Sequence, residues 1–303
     1  MNFNKKYISQ VELLLEIIPF VASEKCFALK GGSAINLFYQ NLPRLSVDLD
    51  LVYVPTENRE DAFESINASL NRIQNNLREA GYEANIQGKS DEKKIICSNH
   101  RATVKIEPNY TIRGTLIEPK LIKVSEKVQQ LFGYAKMNVL VFEELYAGKI
   151  CAALDRQHPR DLFDIKNLYK NYGGISEQIV SCFLVYLIGH NRPIHELLDC
   201  KIKDNFSVFE KEFRGMTDES VSYEELMKTL SCMKSDLHKK LADYKGFLLD
   251  FIRLNADFSA LPFKNVQNMS AIKWKIQNLE RLRQSDPHKF NFQYEKLSEY
   301  FSA

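Results

Sequence analysis

The chain has 303 residues, 45% of them hydrophobic and 26% charged, the proportions of a globular protein with room for two domains. A net charge of +2 neither marks nor excludes a nucleic-acid partner, because local charge distribution matters more than the total. No apolar run is long enough to cross a bilayer and MNFNKKYISQ lacks the apolar core of a signal peptide; Cys26, Cys97, Cys151, Cys182, Cys200 and Cys232 form no CxxC pair, so a reducing, cytoplasmic setting without membrane is expected.

In chain order, apolar residues at Ile8, Val11, Leu14, Leu15 and Ile18 have the spacing of an amphipathic helix, predicted over Ile8–Val21. Strands are predicted at Cys26–Lys30 and Asp48–Val54, with a glycine turn and a short helix between them. Pro55-Thr56-Glu57-Asn58 opens a long polar helix that runs to about Ala80 and stops at Gly81. Strand-like runs follow near Tyr82–Ile86, Lys93–Cys97, Ala102–Glu107 and Leu121–Val124, and Val139–Phe142 leads into a helix that carries Lys149. From Arg160 onward the apolar positions are periodic, turn signals are few and no strand pattern is present. The expected class is α/β (α+β), with a mixed sheet flanked by helices over residues 1–157 and an all-helical domain over 158–303.

The stretch from Phe27 to Val52 carries the chemistry. Successive strand side chains point to opposite faces, so Asp48 and Asp50 share one face while Leu49 and Leu51 point into a core. Two carboxylates so close repel unless a cation lies between them, and Mg²⁺ binds through carboxylates together with substrate phosphates. Gly31-Gly32 lets backbone N–H groups, with the Ser33 hydroxyl, approach a phosphate at a helix N-terminus. The two features together point to a nucleoside triphosphate.

The pattern Gly31-Gly32-Ser33 followed by Asp48-x-Asp50 resembles the nucleotidyltransferase superfamily that includes DNA polymerase beta. The fuller string, Gly31-Gly32-Ser33-x-x-Asn36-Leu37 with Arg44-x-Ser46-x-Asp48-Leu49-Asp50-Leu51, is similar to the AbiEii/AbiGii toxin family. So are the helix Glu143–Leu154 with its Lys149 and the segment Arg160-Asp161-Leu162-Phe163-Asp164. The resemblance implies transfer of a nucleoside monophosphate from an NTP to an acceptor, with two Mg²⁺ ions held by Asp48, Asp50 and a third carboxylate. Glu107, on the same face of its run as Lys105, is the candidate for the third. It further implies that Gly31, Gly32, Ser33, Arg44, Ser46 and Lys149 serve the triphosphate, and that Asp161 and Asp164 belong to the active site. The partners implied are a tRNA 3′ end as acceptor and an antitoxin encoded nearby.

Each residue also has a plainer reading. Lys105 and Glu107 could be a solvated pair on an edge strand, Arg44 a loop residue in water, Ser46 a strand cap and Lys149 a lysine pointing to solvent. Asp161 and Asp164, at i and i+3, could meet a base, a metal or Lys149, or favour a helix N-terminus. His158, before Pro159, reads as structural or solvated rather than catalytic. Lys239, Lys240, Lys264, Lys273, Lys275, Arg281 and Arg283 could contact RNA phosphates or form an ordinary surface. A small-molecule nucleotidyltransferase of the aminoglycoside type, and an inactive nucleotide-binding protein, are the alternatives.

Overall fold

The computed structural model describes residues 3–89 and 91–302. Among these, seven strands form one mixed sheet: β1 Phe27–Lys30, β2 Asp48–Tyr53, β3 Glu83–Gln87, β4 Lys94–Ser98, β5 Thr103–Asn109, β6 Lys120–Lys123 and β7 Lys136–Val139. Their order is β3-β4-β5-β2-β1-β7-β6. β1 runs antiparallel to β2, whereas β5 and β7 lie parallel to β2 and β1 respectively. The other antiparallel pairs are β3-β4, β4-β5 and β6-β7, the last joined through the short helix Glu126–Phe132. No strand follows Val139 among the described residues, in keeping with the helical pattern of the second half.

The helices start and stop where local chemistry dictates. Lys5–Ala22 begins at Asn4, whose side chain accepts from the Lys6 amide, and buries Val11, Leu14, Leu15 and Ile18. Arg59–Glu79 begins at Asn58, which accepts from the Asp61 amide, and buries Ala62, Ile66, Leu70, Ile73 and Leu77 at intervals of three and four. Gly81 then ends it in a left-handed conformation. Leu49, Leu51, Val104 and Ile106 are buried on the opposite face of the strands from the aspartates, so the alternation read from the sequence is the alternation that the sheet uses.

The chain divides into two compact units, one running to Leu145 and including Glu210–Ser220, the other formed by Tyr146–Phe209 and the residues from Val221. Within the first unit the segment 210–220 is a strap. The Leu45 amide donates to the Met216 carbonyl at 2.7 Å, the Asn4 amide donates to the Gly215 carbonyl at 2.9 Å, and the Thr217 hydroxyl donates to the Pro43 carbonyl at 2.9 Å. These bonds fix the approach to β2.

The second unit is a helical assembly. Helix Tyr223–Leu241 opens on a capping box between Ser222 and Glu225 and buries Leu226, Leu230, Met233, Leu237 and Leu241. The Tyr169 hydroxyl, on helix Pro159–Tyr172, donates to the Asp236 carboxylate at 2.9 Å and joins the two helices. No helix among the described residues is long and apolar enough to cross a membrane.

The strap gives the first expectation. Thr217→Val removes the hydroxyl but keeps the shape, and leaves the part-buried Pro43 carbonyl without that donor. The expected loss is about 1 kcal/mol of stability, measured by urea unfolding; a midpoint equal to the parent's would show that the bond contributes nothing to the approach to β2.

Candidate active site

The site is built by the reversal from β1 into β2. Lys30 ends β1, and Gly31 follows at φ +74, a left-handed conformation that favours glycine. A side chain there would collide with the Asp50 carboxylate, so the absent Cβ is what lets the turn lie against the aspartate. At Gly32 a Cβ would sit 2.7 Å from Arg44 Nη2 and 2.9 Å from Ser46 Oγ. Gly31–Ser33 form a helical turn that continues, in wider π-type turns, as Ala34–Tyr39.

Side chains named in the sequence pattern stitch this turn to β2. The Asn36 amide donates to the Gly32 carbonyl at 3.0 Å. The Ser33 hydroxyl donates to the Asp48 carbonyl and hydrogen-bonds with Ser46 Oγ at 3.1 Å. Ser33 thus uses its hydroxyl to fasten the turn. Arg44 is 2% exposed and donates to the Leu45 carbonyl at 2.8 Å, so it is not a loop residue in water; Ser46 is buried just before β2 and accepts from Ser33.

β5 lies inside the sheet between β4 and β2, so the edge-strand reading of Lys105 and Glu107 does not hold. Glu107 is in register with Asp50, and Lys105 with Asp48. Side chains of such neighbours share a face. Lys30 stands opposite Asp50 on β1, and Lys94 Nζ on β4 lies 3.1 Å from Glu107 Oε1. The sequence reading did not include Lys30 or Lys94 in the site. A signal existed for Lys94: the hairpin β4-β5, once its turn is located, brings it opposite Glu107.

Among the described residues no three His, Cys, Asp or Glu side chains are gathered closely enough to hold a metal ion by themselves. Glu107 is in line with the aspartates but is engaged by Lys94. The donor set still fits Mg²⁺, which needs only one or two carboxylates when substrate phosphates and water complete its shell. Asp48 and Asp50 supply hard oxygen donors on one strand face, next to the Gly31-Gly32-Ser33 turn.

Lys149, Asp161 and Asp164 come together in the second unit. Lys149 Nζ lies 2.8 Å from Asp161 Oδ1 and 3.1 Å from Asp164 Oδ2, with the lysine side chain 5% exposed. Arg156 adds Nε at 2.6 Å from Asp161 Oδ2 and Nη2 at 3.0 Å from Oδ1. Of the open alternatives for these residues, pairing with Lys149 is the one that the structure shows, and the solvent-facing reading of Lys149 is excluded. Burial pushes the Asp161 carboxyl up, but the Lys149 ammonium and the Arg156 guanidinium outweigh it and hold the group well below the usual carboxylate range. His158 caps the following helix by accepting from the Arg160 amide at 3.1 Å, which confirms its structural role.

Lys275 departs from the surface reading. It is buried, and its ammonium donates to the carbonyls of His190 at 2.9 Å and Arg192 at 2.7 Å, so it does not face an RNA backbone. Its place on the Ile272–Leu279 apolar stripe was the signal for burial. Burial lowers its pKa to about 8.

The sequence matches the family described as nucleotidyl transferase AbiEii toxin, type IV toxin–antitoxin system, over residues 12–277. This chain belongs to the AbiEii nucleotidyltransferase toxin family. It is thereby a nucleotidyltransferase toxin of a type IV system, with a nucleotide substrate and an antitoxin partner. Among solved structures the fold is similar to the MenT4 nucleotidyltransferase toxin of Mycobacterium tuberculosis H37Rv, with a TM-score of 0.58 and 14% identity over 96% of this chain and 93% of that one. No curated protein sequence matches. In this AbiEii chain the mixed sheet and the helical second half are therefore a known nucleotidyltransferase architecture.

The buried Lys149 cluster makes a testable demand. Asp161→Asn leaves the ammonium with Asp164 alone, at an expected cost of about 3 kcal/mol, the low end for breaking a buried pair. Because the folded pKa of Asp161 lies below the unfolded value of about 3.9, its contribution is full at pH values above that and is lost as acid protonates it. Unfolding followed by circular dichroism from pH 7 to pH 3 should show a constant gap between parent and variant down to about pH 4 and a narrowing gap below it. A constant difference across that range would contradict the assignment.

Proposed function

We propose that this toxin transfers the nucleoside monophosphate of an NTP to the 3′ end of a tRNA. The acceptor hydroxyl oxygen bonds to the α-phosphorus, the bond from that phosphorus to the bridging oxygen breaks, and pyrophosphate leaves. The observation that carries the reading is the position of Gly31, packed against the carboxylate of Asp50 with no space for a Cβ, so that the glycine turn lies beside the strand that carries Asp48 and Asp50.

Asp48 and Asp50 would hold Mg²⁺, with Glu107 as the neighbouring third carboxylate. When bound, the metal supplies neutralisation of the triphosphate and acidifies the acceptor hydroxyl. The chain's own groups do the rest. Backbone N–H groups of Gly32 and Ser33 receive phosphate oxygens at the start of the helical turn, where partial positive charge accumulates. Ser33, Ser46 and Asn36 hold those amides at a fixed distance from β2, so no reorganisation is needed as charge develops. Arg44, buried behind Gly32, adds a fixed positive charge.

The tRNA acceptor is supported by the resemblance to AbiEii toxins, some of which modify tRNA 3′ ends. Exposed Lys239, Lys264, Lys273, Arg281 and Arg283 are available for phosphate contacts, while Lys240 is paired with Glu177 at 3.2 Å. A cytoplasmic site of action follows from that acceptor.

Incubating the protein with Mg²⁺, each α-labelled NTP in turn and total tRNA tests chemistry and acceptor together. Labelled tRNA is expected with at least one NTP, and Asp48→Asn or Asp50→Asn should reduce the rate by at least about 100-fold without unfolding the protein. Turnover at the parent rate in either variant would overturn the carboxylate assignment. Label that appears only in small molecules would overturn the tRNA acceptor.

A further inference from the structure

Asp48, Asp50 and Glu107, the carboxylates of β2 and β5, each have a lysine as cross-strand neighbour. Lys105 stands beside Asp48, Lys30 beside Asp50, and Lys94 beside Glu107, the last as an ion pair at 3.1 Å. Read across four adjacent strands from β1 to β4, one row runs Lys30, Asp50, Glu107, Lys94: cation, anion, anion, cation. The three carboxylates and three lysines balance.

Such balance is not needed for packing, since these side chains are exposed or half-buried while the buried face of the same strands is apolar. Three carboxylates alone on one face would repel one another and attract any divalent cation. The same carboxylates with three ammonium neighbours form a neutral surface that a cation gains less by approaching.

We propose that Lys30, Lys94 and Lys105 are resident counter-ions of the carboxylate face, and that a divalent metal binds there by exchange with them. The metal takes over the carboxylate charge, and the displaced ammonium groups become available to an anion. Lys30, next in sequence to Gly31, is placed to turn to the triphosphate. The metal alone therefore binds weakly, and binds well only with the phosphates that occupy the released lysines. The lysines act as positioning residues that make metal loading depend on nucleotide.

The inference rests on the carboxylate-face reading above and is tested without turnover, by titrating the full chain with Mn²⁺ alone and counting free Mn²⁺ by electron paramagnetic resonance. Lys94→Met removes one competitor and is expected to bind Mn²⁺ about threefold to tenfold more tightly than the parent, the range for a partly exposed pair. Lys94→Arg keeps the charge and should match the parent. Lys105→Met, next to Asp48, repeats the test if Lys94→Met fails to fold. Unchanged or weaker affinity in the charge-removing variant, with Mn²⁺ binding intact in the parent, overturns the exchange alone. No Mn²⁺ binding by parent or variants at millimolar metal overturns both the exchange and the carboxylate-face reading.

Discussion

The site depends on one steric fact, the contact between the backbone of Gly31 and the side chain of Asp50. β1 and β2 are antiparallel neighbours, so the turn that leaves β1 passes over the residues that begin β2. Any side chain at Gly31 would meet the carboxylate, and its left-handed φ also disfavours side chains. Given glycine, the turn closes down on the strand. Ser33, Asn36, Ser46 and Arg44 then have a fixed geometry to stabilise, and their hydrogen bonds give each of them a structural role beside the turn.

Electrostatics imposes the second constraint, met differently in the two units. On the sheet face, Asp48, Asp50 and Glu107 have lysine neighbours, and the Lys94–Glu107 pair is partly exposed, a kind of pair that is individually weak. In the helical unit, Lys149 and Arg156 balance Asp161 and Asp164 in a buried cluster whose members cannot separate without leaving a desolvated charge. The first arrangement is the one that the proposed metal exchange uses. The second suits the fixing of helix Phe142–Arg156 against helix Pro159–Tyr172.

Local features were legible in the sequence because their periods are short. The alternation around Asp48 and Asp50 has period two, and the stripes of Lys5–Ala22 and Arg59–Glu79 follow helical spacing, so strands, helices and the aspartate face could be read directly. Long-range pairing could not. Nothing local to Glu107 says that β5 lies parallel to β2, some sixty residues earlier, or that the strand is internal to the sheet. The strap at 210–220 is held by backbone carbonyls and one hydroxyl, which carry no sequence pattern. Lys149 was legible as a residue opposite an apolar face, but its burial depends on the reversal at His158-Pro159 that returns Asp161 and Asp164 to it. Lys275 is the reverse case: its charge reads as surface while its place on an apolar stripe reads as core, and carbonyl acceptors make the burial tolerable.

The central claim is that a triphosphate sits on the Gly31-Gly32-Ser33 turn with its metal on the β2 aspartates. A crystal structure of the protein with a non-hydrolysable NTP analogue and Mn²⁺ tests it most directly. The account requires an anomalous manganese peak within coordination distance of Asp48 and Asp50, and phosphate oxygens within hydrogen-bond distance of the Gly32 and Ser33 amides. Triphosphate density away from that turn, or manganese away from β2, would contradict it.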